Sequence, residues 1–571
     1  GEEAVIEIVD DRTGGWGHIN VDHIVQSDKI LEAPKVERSM TIEHDYLHFP
    51  VKNSAPIQRL TLTAEGEPLR YFDIELADDS PDFWAFMNVA PYKGKTAVLK
   101  LEDARRGDKG ALDVIKQADE ILPDTSHLYQ EKLRPQFHFT SRRGWNNDPN
   151  GLVYYDGEYH LFYQHNPFGW NWGNMHWGHA VSADLVHWQE LDDALHPDPL
   201  GTIYSGSAVV DDANTAGFQT GDGKTIVCFY TSAGAHAPEP VPFTQSIAYS
   251  NDRGRTFTKY ADNPVLGHVA GRNRDPKVLW HVPSEKWVMA LYLDKHLFAL
   301  YGSADLKQWE RLCHVEVPDC GECPDFFELP VDGDASDTRW VFWGANGSYL
   351  LGTFDGKRFT SDGEVQRLYA GGNAYAAQSY SDIPDSDGRR IQIAWLRQNM
   401  PDMPFNQQMS FPVTLTLHRT SGGVRMAARP VKEIEALHRT RHVWEGEPLV
   451  RGENLLDGVE GELLHIRARI KTGDARRIRF GVRGVEVDYD VCKEELRVQK
   501  KEATLPLSDG RLEIEMLVDR ASLEVFGNNG LFYLPLGLLF DTDDRALELT
   551  CRGENAQVES LEVWELASAW Q

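Results

Sequence analysis

Three short acidic segments hold the densest chemistry in this chain. In Gly144-Trp-Asn-Asn-Asp-Pro-Asn-Gly151, Asp148 stands between Asn147 and Pro149. Proline fixes its own φ and biases the residue before it towards extended backbone, so Asp148 is expected at a set point in a turn. Neighbouring amides can hydrogen-bond a neutral ligand without adding charge. A plain Asx-Pro-Gly loop has the same composition, and turn chemistry alone does not separate the two. In Asn273-Arg-Asp-Pro276, Asp275 again precedes proline and has Arg274 beside it. Taken singly, that segment reads better as an ion pair in a surface turn. Arg274 is expected to keep the Asp275 carboxylate ionised. In Glu322-Cys-Pro-Asp325, the apolar Cys320, Cys323, Phe326 and Phe327 around Glu322 predict a carboxyl shielded from water. Shielding favours the neutral form that a general acid needs.

Metal and redox chemistry are weighed against the cysteines. Six are scattered, at 228, 313, 320, 323, 492 and 551, which is no disulfide framework. Cys320 and Cys323 have C-x-x-C spacing, but no second ligand pair lies near them in sequence, so no metal and no cofactor is expected. The formal net charge of -30 makes nucleic acid and anionic membranes poor partners. It suits a soluble enzyme with a neutral substrate. No run of 18 apolar residues is present, so no transmembrane helix is expected. Aromatic residues make up 11% of the chain, including 16 Trp. Most should be core residues, and a few are available to stack on sugar C–H faces. The chain starts at Gly1 with no Met and no signal-peptide pattern, and is expected to be a trimmed form.

The elements that must position these acids read as strands throughout. Leu512, Ile514, Met516 and Val518 alternate as a half-buried strand does, and so do Ile478, Phe480 and Val482, and then Val485, Val487, Tyr489 and Val491. The turn Gly527-Asn-Asn-Gly530 is expected to join the 512–518 strand to a partner at 531–534 in a hairpin. Helical signals are confined to residues 111–122 and, more briefly, 431–437. Ser182-Ala-Asp-Leu-Val-His-Trp188 recurs as Ser303-Ala-Asp-Leu-Lys-Gln-Trp309, with a relative at Ser250-Asn-Asp-Arg-Gly-Arg-Thr-Phe257. Each copy follows a strand-like run. The spacing approaches that of propeller blades with insertions, although chance recurrence of turn chemistry gives a similar pattern. Composition suggests a short tail over residues 1–33, a small β domain over 34–127, a long motif-rich segment over 128–430 and strands again over 431–571. The small domain places Leu60, Leu62, Phe72, Ile74, Leu76, Val98 and Leu101 on its faces. Residues 123–136, with two prolines and several charges, read as a linker.

Taken together the three acidic segments resemble the signature motifs of glycoside hydrolase family 32, the invertase, inulinase and levanase family. Further segments follow in the family's order: Arg134-Pro-Gln-Phe-His-Phe139, Tyr159-His-Leu-Phe-Tyr-Gln-His-Asn-Pro167, Trp172-Gly-Asn-Met-His-Trp-Gly-His-Ala180, Tyr204-Ser-Gly-Ser-Ala208, Tyr375-Ala-Ala-Gln378 and Ile391-Gln-Ile-Ala-Trp395. The resemblance covers roughly residues 134–571. It implies an all-β fold, a five-bladed β-propeller followed by a β-sandwich, here with a small N-terminal β domain added. It implies a retaining exo-β-fructosidase, secreted or periplasmic, acting on terminal β-fructose of fructans and sucrose. Asp148 corresponds to the family's nucleophile, Glu322 to its acid/base and Asp275 to its transition-state stabiliser. Trp145, Asn146, Asn147, Gln164, Trp172, Tyr204, Ser205, Arg274 and Trp395 fall where the family binds the terminal fructose.

Two positions depart from the family pattern. Asn146 stands where Met or Leu is usual, and Tyr204 where Phe is common. Both add polarity near the expected sugar site and leave fine specificity open. Fructosyl transfer or strict invertase action on the same scaffold are alternatives. A catalytically silent sugar-binding propeller is a third, against which the three intact acids argue. Linkage preference and oligomeric state are not legible. Gly14-Gly-Trp-Gly-His-Ile-Asn-Val-Asp-His23 resembles the end of a further upstream module.

Overall fold

The computed structural model describes residues 36–78, 80–102, 110–237, 239–541 and 543–570. The tail at 1–33 and its Gly14–His23 segment lie outside the described residues. Regular structure is almost all strand, joined by short 3-10 turns.

Residues 36–118 form two small sheets. One orders its strands Val36–Thr41, Thr96–Leu101, Gln58–Ala64, Glu67–Ile74, and the other Phe83–Asn88, Tyr46–Val51, Lys116–Ala118. Their inner faces share Leu47, Phe49, Leu60, Leu62, Phe72 and Leu99. Phe168, from the next part of the chain, inserts into this core and stacks on Phe72 with ring centroids 3.7 Å apart. Leu99 rather than Val98 occupies the core, a shift of one that moves a strand residue to the opposite face. The helix expected over 111–122 is absent. Its residues form one 3-10 turn, Ala111–Val114, and then the edge strand Lys116–Ala118. The expected linker is also tied down at its C-terminal end. Arg134 is fully buried, donates to the Ser141 carbonyl at 2.6 Å and lies over the Phe405 ring.

Residues 144–430 contain five consecutive four-stranded antiparallel groups. Their first strands are Gly144–Tyr155, Thr202–Asp211, Arg274–His281, Asp325–Val331 and Ala374–Ser379. Each first strand packs on the next, and the fifth returns to the first, closing a ring. This is propeller architecture, with the first strands innermost. The recurring Ser-x-Asp segments are the turn between the third and fourth strands of a group. Ser182, Ser250 and Ser303 each end a third strand. Asp184, Asp252 and Asp305 each accept backbone N–H bonds from the turn that follows, such as His187 to Asp184 at 2.8 Å and Gln308 to Asp305 at 2.8 Å. A fourth copy at Asp355, capped by Lys357 and Arg358, has no serine and escaped the sequence comparison.

After the 3-10 turn Lys432–Leu437, where a short helix was expected, a six-stranded sheet faces a five-stranded one across a shared apolar core. The alternating strand Arg511–Asp519 lies in it, but its hairpin partner is Ser522–Gly527. The Gly527–Gly530 turn belongs to the following hairpin, with Phe532–Gly537. The fully buried run of Ser522–Gly527 carries no alternation to read. This sandwich is keyed to the propeller by charge. Asp519 accepts from the backbone of Gln136, Phe137 and His138, and Glu524 accepts from the Phe411 backbone at 2.8 Å. The His138 ring sits between both carboxylates, at 2.9 and 3.1 Å. Burial alone would strip its proton, but the two acids hold it, raising its pKa to about 9.

Candidate active site

The site lies at the N-terminal ends of the five innermost strands. Asn147 and Asp148 come from the first, Tyr204 and Ser205 from the second, Arg274 and Asp275 from the third, and Tyr375 from the fifth. Glu322 and Cys323 immediately precede the fourth. Four of these strands slip register against their neighbours at this end: between Asn146 and Pro149, Ile203 and Gly206, Arg274 and Lys277, and Tyr375 and Gln378. Such a bulge bends a strand and re-aims its side chains. Here it swings the intervening residues towards the ring axis. Backbone torsion contributes too: Asp275 (φ 63°), Glu322 (φ 51°), Cys323 (φ 40°) and Ala376 (φ 51°) all lie on the left-handed side. Asp275 is therefore not the extended pre-proline residue that the sequence suggests.

Thirteen residues line a cavity of about 300 Å³. Among them are the three acids and also Asn147, Gln164, Trp172, Tyr204, Ser205, Arg274 and Trp395. Two expected ligands are not on the lining. Asn146 is fully buried, and its amide, oriented to satisfy both ends, donates to the carbonyls of Asn406 and Gln407 at 2.8 and 3.0 Å. Its polarity is taken up by the neighbouring strand behind the pocket. Trp145 acts through Asn147. Its indole N–H donates to Asn147 Oδ1 at 2.8 Å, and Asn147 Nδ2 donates to Asp148 Oδ1 at 3.0 Å. The Trp145 ring also packs edge-on against Trp395.

The second oxygen of Asp148 receives the Ser205 hydroxyl at 2.6 Å. Burial pushes the Asp148 carboxyl above the usual aspartate range, against those hydrogen bonds, and the charge of Glu322 pushes it further. Glu322 is held differently. Its side chain is 34% exposed, not enclosed in the apolar surroundings its sequence neighbours suggested. Arg274 donates to Glu322 Oε2 from Nη2 at 2.8 Å and from Nε at 3.1 Å, and the Tyr375 hydroxyl donates to Oε1 at 2.5 Å.

Arg274 thus gives two hydrogen bonds to Glu322 and one, from Nη1, to the Arg272 carbonyl at 2.7 Å, and stands 3.7 Å from Asp275. Burial costs Arg274 proton affinity, but Asp275 and Glu322 more than restore it and keep it charged. The same ion pair does not hold Asp275 in the usual carboxylate range. Burial raises the Asp275 carboxyl to about 7, which Arg274 opposes only in part while Glu322 and Asp148 add to the rise. Of the two arginines on the lining only Arg274 contacts an acid, so charge balance favours holding a proton among the three carboxyls. Cys323 bridges two of the acids, its backbone N–H 3.0 Å and its thiol 3.4 Å from Asp275, with the thiol 3.6 Å from Asp148. Burial pushes that thiol far above its usual range, so it is a donor and not a nucleophile. Cys320 is free, buried and turned to the Gly321 carbonyl, so the C-x-x-C pair does not act as a unit.

Tyr375, Arg272, Phe243 and Cys323 complete the site without having been singled out as ligands. Tyr375 and Cys323 sit inside motifs already noted, and only the approach of separate strands reveals what they touch. Arg272 and Phe243 lie outside any motif. Among the described residues, no group of three or more His, Cys, Asp or Glu side chains is placed to hold a metal ion. No described helix is long and apolar enough to cross a membrane.

Comparisons with known proteins agree with this arrangement. The family description "Glycosyl hydrolases family 32 N-terminal domain" matches residues 138–430, and "Glycosyl hydrolases family 32 C terminal" matches residues 433–565. A levanase of Bacillus subtilis (strain 168) is 40% identical over 497 residues, covering 78% of this chain and 72% of the levanase. A levanase of Bacillus sp. (strain L7) is 33% identical, covering 79% of this chain and 54% of its own length. The extracellular exo-inulinase of Aspergillus awamori is 30% identical over 77% of this chain and 96% of its own. A crystal structure of that enzyme superposes with a TM-score of 0.69, covering 77% of this chain and all of the other. With its motifs, its fold and nearly the whole of residues 138–565 accounted for, the chain belongs to glycosyl hydrolase family 32.

Proposed function

We propose that this chain is a retaining exo-β-fructosidase that releases fructose from the termini of fructans and from sucrose. The observation that carries the reading is the unequal treatment of two acids in one pocket. Both oxygens of Asp148 receive hydrogen bonds from neutral donors fixed in the fold, which aims a nucleophile. Glu322 is 34% exposed, open to a leaving oxygen and then to water, and Arg274 and Tyr375 fix the position of its two oxygens.

In this mechanism Asp148 attacks the anomeric carbon of the terminal fructosyl unit while Glu322 protonates the departing oxygen. A fructosyl-enzyme ester forms. Glu322, now a carboxylate, takes a proton from water, and the water oxygen displaces Asp148. Retention requires the two carboxyls about 5–5.5 Å apart. Glu322 is near enough to Asp148 for its charge to raise that acid's proton affinity. Asp275 holds sugar hydroxyls, and a hydroxyl donating to it favours its ionised form. As the ring gains oxocarbenium character, that carboxylate stabilises the positive charge. Asn147, Gln164, Ser205, Arg274 and Trp395 complete the fructosyl pocket. Trp172, Tyr204 and Phe243 form its aromatic side.

The relatives named levanase and exo-inulinase support a polymeric fructan as substrate, and the extracellular relative supports action outside the cytoplasm. Products from inulin, levan and sucrose, separated side by side, test the reading. The expected result is free fructose at low conversion with a slowly shortening polymer. A ladder of intermediate oligosaccharides would mean endo action. Longer oligosaccharides made from sucrose would mean transfer, and hydrolysis of sucrose with both polymers untouched would mean a strict invertase.

A further inference from the structure

The innermost strands that begin at the pocket also end somewhere. From Asp275 to Trp280 the third strand advances five residues, roughly 16 Å at strand rise. Along that stretch, from Lys277 onward, runs a second cavity of about 370 Å³ that contains none of the pocket residues. It is lined by the far ends of the first strands of the second and third groups, by the fourth group's first strand and by Ser381 and Asp382 after the fifth.

Its chemistry is mixed in a specific way. Trp280 presents its indole at 38% exposure, propped edge-on by Trp287, and Val282 beside it is 71% exposed. Glu328 and Asp382 supply exposed carboxylates. Arg390 supplies a guanidinium whose Nη1 donates to the Tyr380 carbonyl at 3.0 Å, while its Nε has no hydrogen-bond partner among the described residues. Two carboxylates repel an anion and Arg390 offsets them, while Lys277 is buried and already paired with Asp325 at 3.5 Å. Acceptors and donors side by side under an aromatic face suit vicinal hydroxyls above a C–H surface.

We propose that this cleft is a second carbohydrate-binding site that holds a neutral polyhydroxyl chain, the fructan itself, at the end of the propeller away from the catalytic pocket. It rests on the fructan reading above. The site keeps the enzyme on an extended polymer while the pocket works on a terminus, so it matters for polymers and not for sucrose.

The test is affinity electrophoresis of the full chain carrying Asp148→Asn through gels containing levan or inulin, with saturating free fructose to occupy the pocket. Retardation should persist in fructose. Adding Trp280→Ala should weaken it about tenfold, the scale of losing one aromatic face. Trp280→Tyr, which keeps a ring, should restore most of it. In the active background, Trp280→Ala should leave sucrose kcat and KM within about twofold, which also shows that the variant folds. Fructose abolishing all retardation would overturn the second site. So would retardation indifferent to Trp280→Ala, or retardation by an anionic polysaccharide with none by levan or inulin. Failure of the fructosidase reading is separate, since it would appear as a wild-type chain that hydrolyses no fructoside.

Discussion

Replacing Asp275 by asparagine should make the enzyme more stable as well as inactive, and the gain should depend on pH. The carboxyl is 5% exposed and binds its proton with a pKa of about 7, against 3.8 for an ordinary aspartate, chiefly because burial penalises its charge. The folded state therefore holds a proton that the unfolded chain has released, and folding stability falls as pH rises from about 4 to about 7. At about 1.4 kcal/mol per tenfold change in proton affinity, the ceiling on this loss is ~4 kcal/mol. Asparagine removes the charge with little else. It tolerates the left-handed φ of 63° better than most residues, and its carbonyl can still accept the Cys323 N–H now at 3.0 Å. Calorimetric unfolding of wild type and Asp275→Asn should give similar midpoints near pH 4. Near pH 8 the variant should be higher by several degrees. Activity should fall by at least about a hundredfold, since Asp275 acts on the transition state. An equal difference at both pH values, or a variant less stable near pH 8, would refute the assignment of a proton-holding, destabilising carboxyl.

Asp148→Asn and Glu322→Gln should each lower kcat by about a thousandfold or more with fructose binding retained, and either variant keeping over about a tenth of wild-type kcat would remove its assignment. The acid limb of kcat/KM should lie above the ordinary aspartate pKa of 3.8, because burial raises Asp148 in the free enzyme, and a limb at or below that value would contradict it. Dialysis against a chelator should leave activity unchanged, whereas loss restored by one added divalent ion would reopen the cysteines as ligands. His138 should make stability fall at alkaline pH. Its raised folded pKa gives a contribution fully present below 6.5 and lost as pH passes about 9. In His138→Gln the unfolding midpoint should lose that slope, and an unchanged slope would place the titration elsewhere.

The sequence was legible where one residue type decides the outcome locally. Alternation found the strands at 478–482, 485–491 and 512–518, and Ser-x-Asp marked a turn that recurs around the propeller. It failed where burial is continuous or where tertiary partners decide. Ser522–Gly527 is buried on both faces and has no period. Residues 111–122 carry a helical composition, but Lys116–Ala118 is recruited to the edge of Tyr46–Val51. Asn146 falls where the family binds fructose, and its buried side chain faces the carbonyls of 406 and 407.

The site itself was legible as a set of residues and not as an electrostatic arrangement, because adjacency in sequence misleads at a bulge. Arg274 and Asp275 are neighbours, which suggested that the cation serves that acid. The register slip between Arg274 and Lys277 and the positive φ of Asp275 leave the two side chains 3.7 Å apart, without a hydrogen bond between them. Arg274 then reaches across to Glu322 on another blade, and Asp275 turns to Cys323. Similar departures recur at Glu322, Cys323 and Ala376, where non-glycine residues occupy a region that costs of order 1–3 kcal/mol when strained. Local preference alone does not place four such residues around one cavity. The ring of inner strands over-determines them, and what that strain secures is Arg274 set among three acids. It leaves Asp148 aimed by neutral donors, Glu322 held by Arg274 and Tyr375, and Asp275 with its proton affinity raised to about 7, three carboxyls in three different surroundings.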